Sequence, residues 1–405
     1  MNIDQLRLKE DIVPLYDDKQ NHKVTPYIHN FIFHKCSKEE LLLRQSIIQN
    51  LLNHQEVIHS YKYNKLYFGE AFKVSEEINR SSFLTSKNYI FFTKREVDHS
   101  KISRLTASAI FFNELESLIQ SLLDIAKVTE LRDLLSLLLD DLNSLKIYSN
   151  TALTQQELMR YIETLQKINF KRFWDTLFQV ECYISITRCS LKKGFCLPVI
   201  YEDCIHLEQA YFPLINNVVK YDITFDNSFN ILNGPNMGGK STFLKTITLC
   251  CYLGNIGVPI PSSKAKIPFL ESFHVNFNTK DNYKNGTSHF MNEVLSMKEF
   301  ILSSKSFGGV FGCFDELFNT TNPEEALRLI SYLFSNLKLK SPSFFIISTH
   351  LDIEIFKDRE EIGFYHPSTK LNGNKIQFDY SITKGISNLK LGEKLFQDAG
   401  IMDII

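Results

Sequence analysis

Gly234-Pro235-Asn236-Met237-Gly238-Gly239-Lys240-Ser241-Thr242 gathers three glycines, a lysine and two hydroxyls into nine residues. The spacing fits GxxxxGK[ST]. It lies between an apolar strand candidate, Phe229–Leu232, and a helical stretch, Lys240–Leu253, which is the context a phosphate-cradling loop requires. Glycines let successive backbone N–H groups curl around phosphate oxygens without Cβ clashes. The following helix turns its positive end toward the same oxygens. In this reading Gly234 to Thr242 bind a nucleoside triphosphate, ATP. Lys240 supplies a mobile positive charge to the β- and γ-phosphates, and the Ser241 hydroxyl is a ligand for Mg²⁺. The plain alternative is a glycine-rich turn opening a helix.

Three further segments could complete such a site. Val310-Phe311-Gly312-Cys313-Phe314-Asp315-Glu316 is an apolar strand ending in two carboxylates, about 75 residues downstream of Lys240. A carboxylate at that place can hold Mg²⁺, which is the role expected of Asp315. Glu316 can orient and deprotonate an attacking water. Alone, the pattern is a buried strand running into a polar turn. Phe344 to Ser348 followed by Thr349-His350 is a second such strand, and His350 could sense a γ-phosphate or position water; a packed or capping histidine is the competing account. Asn285-Gly286-Thr287-Ser288-His289-Phe290-Met291-Asn292-Glu293 reads by itself only as a turn and a helix start capped by Ser288.

The elements that must position these residues divide the chain. Residues 1–200 read as helical. Glu39–Leu52 places apolar residues at 42, 43, 47, 48, 51 and 52, and the pattern returns through Phe111–Leu145 and Gln156–Cys189, close to a period of 3.6. Only Pro14, Pro26 and Pro198 interrupt this half, as long helices require. Asn88–Thr93 is its one strand candidate. The character changes around Gly194–Glu202. Beyond it Phe229–Leu232, Gly309–Phe314 and Ser343–Ser348 are short, apolar and strand-like, as buried parallel strands are. They alternate with the helical stretches Lys240–Leu253, Glu293–Ser303 and Glu324–Leu337. That alternation predicts an α/β domain with a mostly parallel sheet over 201–405, preceded by an all-α lever over 1–200.

Composition narrows the function classes. The 405 residues are 44% hydrophobic and 22% charged with a net charge of −1, which excludes general disorder and bulk attraction to polyanions. Residues 1–200 carry 26 Lys+Arg against 24 Asp+Glu. A nucleic-acid role would therefore need a local basic face. No apolar run approaches a membrane span, and the first residues lack the apolar core of a secretory signal. Eight cysteines with no CxxC pair argue for reduced thiols in a cytoplasmic protein.

Taken together, these motifs carry a resemblance. GPNMGGKST over Gly234–Thr242 resembles the phosphate loop of the MutS family of DNA mismatch-repair ATPases. Ser288, Phe290, Met291 and Glu293 resemble that family's S-x-F-M-x-E segment. Asp315-Glu316-Leu317 resembles its DEL segment, Thr349-His350 its TH switch, and Tyr380, Gly385, Gly392, Ala399 and Gly400 its closing pattern. The likeness continues more weakly backward, through Thr25-Pro26, Arg44-Gln45 and Phe170–Glu202, into the family's helical core. What the resemblance implies is an ABC-type P-loop ATPase domain over 201–405 and a MutS-core-like lever over 1–200. It also implies a homodimer that closes on ATP and opens after hydrolysis, with Ser288 of one subunit meeting the nucleotide held by the other.

Departures shape the expectation. The loop after Leu317, Phe318 to Pro323, lacks glycine, which bears on turnover and on coupling between sites. The family's upstream His-Pro stands here as Phe212-Pro213, and Tyr221 takes a position usually filled by Asn. The helical core begins within about the first 25 residues, so the expectation is a short MutS-like chain without a mismatch-reading domain. Phe68-Gly69-Glu70 has the spelling of the mismatch wedge but falls inside the helical region, where core packing is the better reading. The expected function is ATP binding and hydrolysis coupled to DNA, mismatched, branched or structured, in DNA repair or recombination. The alternatives are a nucleotide-driven protein scaffold with no DNA role, and an ATP-binding protein with little turnover.

Overall fold

The computed structural model describes residues 6–79, 91–93, 96–97, 99–146, 154–216, 218–235, 238–277, 289–372 and 375–387. The chain forms two compact units, one of residues Leu15–Phe31 and Arg44–Leu191, the other of Met1–Pro14, Ile32–Leu43 and Lys192–Ile405.

The first unit is built mainly from helices, among them Lys65–Asn79, His99–Ile125, Thr129–Leu145, Gln155–Leu165 and Phe170–Lys193. Two short strands, β1 (Phe91–Thr93) and β2 (Glu96–Val97), pair antiparallel beside them. β1 covers part of the expected Asn88–Thr93 strand; residues 88–90 lie outside the described residues. In Thr129–Leu145 the buried positions are Leu131, Leu135, Leu138, Leu142 and Leu145, the three- and four-residue steps of one helix face. The stretch Phe111–Leu145, which carries Leu and Ile throughout, breaks once. The Asn50 side chain donates to Ile125 O at 3.2 Å and accepts from Lys127 N at 2.9 Å, satisfying the groups that end one helix before the next begins. The stretch Gln156–Cys189 also breaks, where Asn169 Oδ1 accepts from Arg172 N at 3.1 Å and caps the second helix. Thr154 and Glu157 form a reciprocal capping box at the start of Gln155–Leu165. Phe68 is buried against Tyr63, Phe111, Trp174 and Phe178. Its aromatic ring is core, not a wedge.

A buried carboxylate also sits in this unit. Glu181 is 6% exposed and accepts hydrogen bonds from Tyr63 Oη at 2.7 Å, Asn21 Nδ2 at 2.9 Å and Tyr61 Oη at 3.1 Å. Burial raises its pKa to about 7, outweighing those three donors, which pull it down.

The second unit holds the remaining strands: β3 (Val199–Ile200), β4 (Ile205–Ala210), β5 (Tyr221–Phe225), β6 (Phe229–Asn233), β7 (Lys264–Ile267), β8 (Ser272–Asn276), β9 (Val310–Phe314), β10 (Phe344–Thr349), β11 (Ile362–Asn372) and β12 (Lys375–Lys384). They form a six-stranded sheet in the order β12-β11-β6-β10-β9-β8 and a four-stranded sheet in the order β3-β7-β4-β5. Within the larger sheet the pairs β11–β6, β6–β10, β10–β9 and β9–β8 are parallel, and β11–β12 is antiparallel. Every residue of β6, β9 and β10 is buried, which explains why they are mostly apolar. Helices Lys240–Asn255, His289–Ser306 and Pro323–Asn336 follow β6, β8 and β9. Phe300 and Phe345 stack at 5.0 Å in the apolar core, with Phe334 beside Phe345.

The Glu181 geometry has a measurable consequence. Its pKa is raised on folding, so the stability it contributes is fully present below pH 4.5 and is lost as pH rises through 7. At about 1.4 kcal/mol per unit this amounts to on the order of 3 kcal/mol. Glu181→Gln is expected to flatten the fall in melting temperature between pH 4.5 and 7. A variant with the wild-type slope would show that Glu181 does not titrate in that window.

Candidate functional site

Register decides which side chains meet. In β6–β10 the last paired residues are Asn233 and Thr349, and in β10–β9 they are Ile347 and Phe314. The residues one step beyond, Gly234 after β6, Asp315 after β9 and His350 after β10, therefore emerge at the same carboxyl edge of the sheet. In open α/β sheets that edge is where ligands sit.

The glycine loop leaves β6 and enters the helix Lys240–Asn255. Asn236 and Met237 lie outside the described residues. Gly234 N donates to Thr349 O at 3.4 Å, Gly238 N to Pro235 O at 3.4 Å, and Phe243 N to Gly239 O at 3.0 Å, where the helix begins. Gly239 has φ +86°, a left-handed conformation that glycine adopts freely. The hairpin β11–β12 closes over the loop. A Cβ on Gly238 would lie 3.0 Å from Pro367, and one on Gly239 would lie 3.2 Å from the Tyr380 ring. Tyr380 is itself 45% exposed. Tyr221, by contrast, is buried with its ring on Phe243 at 5.1 Å.

Lys240 is only 4% exposed, and its Nζ donates to Gly234 O. Burial lowers its pKa, while Glu316 and then Asp315 hold it up. The ammonium thus feels both carboxylates at the end of β9. Ser241 is exposed on the first helical turn and Thr242 is half-buried.

Asp315 is 7% exposed. The Ser348 hydroxyl, fully buried on β10, donates to Asp315 Oδ1 and accepts from Glu316 N at 2.8 Å. Leu317 N donates to Ser348 O at 3.3 Å. Glu316 has φ +53° and Phe318 φ +60°, so two non-glycine residues hold left-handed conformations in the turn after β9. Asn319 Nδ2 donates to Glu316 Oε2 at 2.7 Å, and Phe318 N donates to Glu293 Oε2 at 2.9 Å. The glycine-free loop continues with Asn322 capping the helix Pro323–Asn336 through Glu324 N, with Pro323 in its first turn. Glu293 is 5% exposed, and burial raises its pKa to about 7 against the pull of the Phe318 N–H. Thr349 Oγ1 accepts from Leu351 N at 3.1 Å, and His350 is exposed.

The structure thus brings Gly234, Pro235, Gly238, Gly239, Lys240, Ser241, Thr242, Asp315, Glu316 and His350 to one edge. Ser288 lies outside the described residues, as do Gly392, Ala399 and Gly400. Ser348 and Pro367 were not read from the sequence as site residues. A serine closing an apolar run, opposite the step where a neighbouring strand ends in Asp, is the signal that would have found Ser348.

The family model for MutS domain V matches residues 230–405. The chain is 24% identical over 261 residues to a DNA mismatch repair protein MutS of Thermotoga maritima, a match covering 61% of this chain and 31% of that protein. It is 26% identical over 254 residues to the DNA mismatch repair protein MSH3 of Scheffersomyces stipitis, covering 57% and 24%. It is also 26% identical over 253 residues to a DNA mismatch repair protein MutS of Listeria monocytogenes, covering 58% and 28%. The chain thus spans between 24% and 31% of the length of these relatives. Over residues 230–405 the chain is thus similar to MutS domain V.

Ser348→Ala removes the one hydroxyl bonded to both Asp315 and the Glu316 N–H. We expect a stability loss of about 1–3 kcal/mol by urea unfolding, well above that of Thr320→Ala, an exposed site in the neighbouring loop. Equal midpoints for the two variants would show that the hydroxyl is dispensable.

Proposed function

We propose that this chain binds and hydrolyses ATP and couples the cycle to DNA, mismatched, branched or otherwise structured, as a homodimer whose ATPase domains close on ATP. In this reading residues 201–405 form the P-loop ATPase domain and residues 1–200 the helical core or lever. The observation that carries it is the convergence of a glycine loop, a buried lysine and an Asp-Glu pair at one carboxyl edge of the parallel strands β6, β10 and β9. The MutS domain V match over 230–405 supports the same reading, as do relatives named as DNA mismatch repair proteins.

The residues divide the work as follows. Gly234 to Thr242 surround the triphosphate with backbone N–H groups. Lys240, desolvated and flanked by Glu316 and Asp315, gains strongly from phosphate charge, because Coulomb attraction is large where water is scarce. Asp315 and Ser241 would hold Mg²⁺, a sparse donor set of the kind that ion takes alongside substrate phosphates. When bound, it neutralises charge on the β- and γ-oxygens. Glu316 accepts a proton from the attacking water while the bond to the γ-phosphorus breaks and ADP leaves with the electron pair. Asn319 fixes the Glu316 carboxylate. His350 senses the γ-phosphate, and Ser288 acts across the dimer. The exposed face of Tyr380 beside Gly239 suits a nucleobase. No helix among the described residues is long and apolar enough to cross a membrane, and we place the protein in the cytoplasm.

Two measurements test this. Lys240→Ala is expected to weaken ATP binding by at least about tenfold, while Glu316→Gln keeps binding and lowers turnover by about 10²–10⁴. Near-normal ATP affinity in Lys240→Ala would remove the loop from the site. Titration of duplex, single-mismatch duplex and four-way junction, with and without ATP at two salt concentrations, is expected to give nucleotide-dependent and salt-sensitive binding. ATP binding without any DNA binding would assign the helical half to a protein partner.

A further inference from the structure

We infer that Glu293 is a positioning residue for the hydrolytic step: its carboxylate holds the left-handed turn that aims Glu316. The inference rests on the ATPase reading above. Glu293 lies in the first two turns of the helix His289–Ser306. Its carboxylate turns away from its own helix and accepts the N–H of Phe318, two residues beyond Glu316.

That N–H belongs to a turn that ordinary residues resist. Glu316 and Phe318 both have positive φ, and left-handed backbone costs a non-glycine residue of order 1 kcal/mol or more. Such a turn persists only where its surroundings hold it. The bonds that do so include Glu316 N to Ser348 Oγ, Leu317 N to Ser348 O, Asn319 N to Glu316 O, and Phe318 N to Glu293 Oε2. Of these, the last alone comes from outside the strand ends and the loop itself. It is reinforced by the Phe290 and Phe318 rings, 6.0 Å apart. Both rings line an apolar cavity of about 310 Å³ between the helices His289–Ser306 and Pro323–Asn336. That groove, open to solvent, leaves the loop space to relax if the tether is cut. A buried carboxylate is a costly way to pin a loop. Its position is explained if an exact aim of the neighbouring Glu316 matters.

The test compares Glu293→Gln, which keeps an oxygen acceptor, with Glu293→Leu, which keeps the size and removes it. Glu293→Asp keeps the charge and withdraws it by one methylene, and it stands in if the leucine variant folds poorly. ATP dissociation constants and single-turnover hydrolysis rates are measured for each. The expected pattern is ATP affinity within about threefold of wild type throughout, hydrolysis within about threefold for Glu293→Gln, and hydrolysis slowed at least about tenfold for Glu293→Leu and Glu293→Asp. Wild-type hydrolysis in both slowed candidates would overturn the positioning role, as would a glutamine variant as slow as the leucine one. Loss of ATP affinity in step with hydrolysis would also overturn it, reducing Glu293 to a structural tie. A wild-type protein that binds no ATP would instead refute the ATPase reading itself, and this role with it.

Discussion

A carboxylate at the end of a buried strand has to be solvated by something other than water, and in this chain the Ser348 hydroxyl does it. Its proton goes to Asp315 and its lone pair to the Glu316 N–H. Much of the site's geometry follows from that one group. It couples β10 to the turn after β9 at the point where the two strands stop pairing. It keeps Asp315 at 7% exposure without leaving its charge unpartnered. It also fixes where Glu316 departs from the sheet, which sets the two negative charges that Lys240 feels from β6. A packed apolar side chain in place of Ser348 would fill the space and leave both groups unpaired, the more damaging of the two ways to lose a hydrogen bond.

The turn after β9 shows how a loop without glycine adopts a glycine-like path. Positive φ at Glu316 and Phe318 is held by side-chain acceptors from β10 and from the helix His289–Ser306. The exit into the next helix is handled by Asn322 and Pro323. Glycines at these positions would make this turn permissive. Here the same path depends on its neighbours being in place, so its conformation reports on theirs.

The parts of this arrangement that were legible in sequence are those with few physical solutions. Three glycines before Lys-Ser at a strand end, and apolar runs closing in Asp-Glu or Thr-His, point to the carboxyl edge of a buried sheet. Strands β6, β9 and β10 lie where their runs of Phe, Ile and Val predicted them. The four-stranded sheet was not legible. β4, β5 and β7 are short and half-polar, and their partners are chosen by distant pairings such as Leu207 with Ala265. Helix breaks were missed for the same reason: nothing between Phe111 and Leu145 announces that Asn50 will satisfy the chain at Ile125 and Lys127. Ser348 was masked by the more conspicuous Thr349-His350 that follows it, and Pro367 lay on a strand whose docking over the loop no local pattern encodes.

The order of strands in the larger sheet bears on how the protein is made. β6, which carries the glycine loop, is flanked on one side by β10 and on the other by β11, strands that leave the ribosome more than a hundred residues later. Until they arrive, β6, whose residues are all buried in the finished sheet, has both edges unpaired. Non-local pairing of this kind is slow to form, and an unpaired apolar edge invites pairing with other chains. Nascent chains that end before residue 344 therefore carry the glycine loop on an open, sticky strand. Synthesis of β10 and β11 closes both edges and brings Pro367 onto the loop in the same stretch of translation.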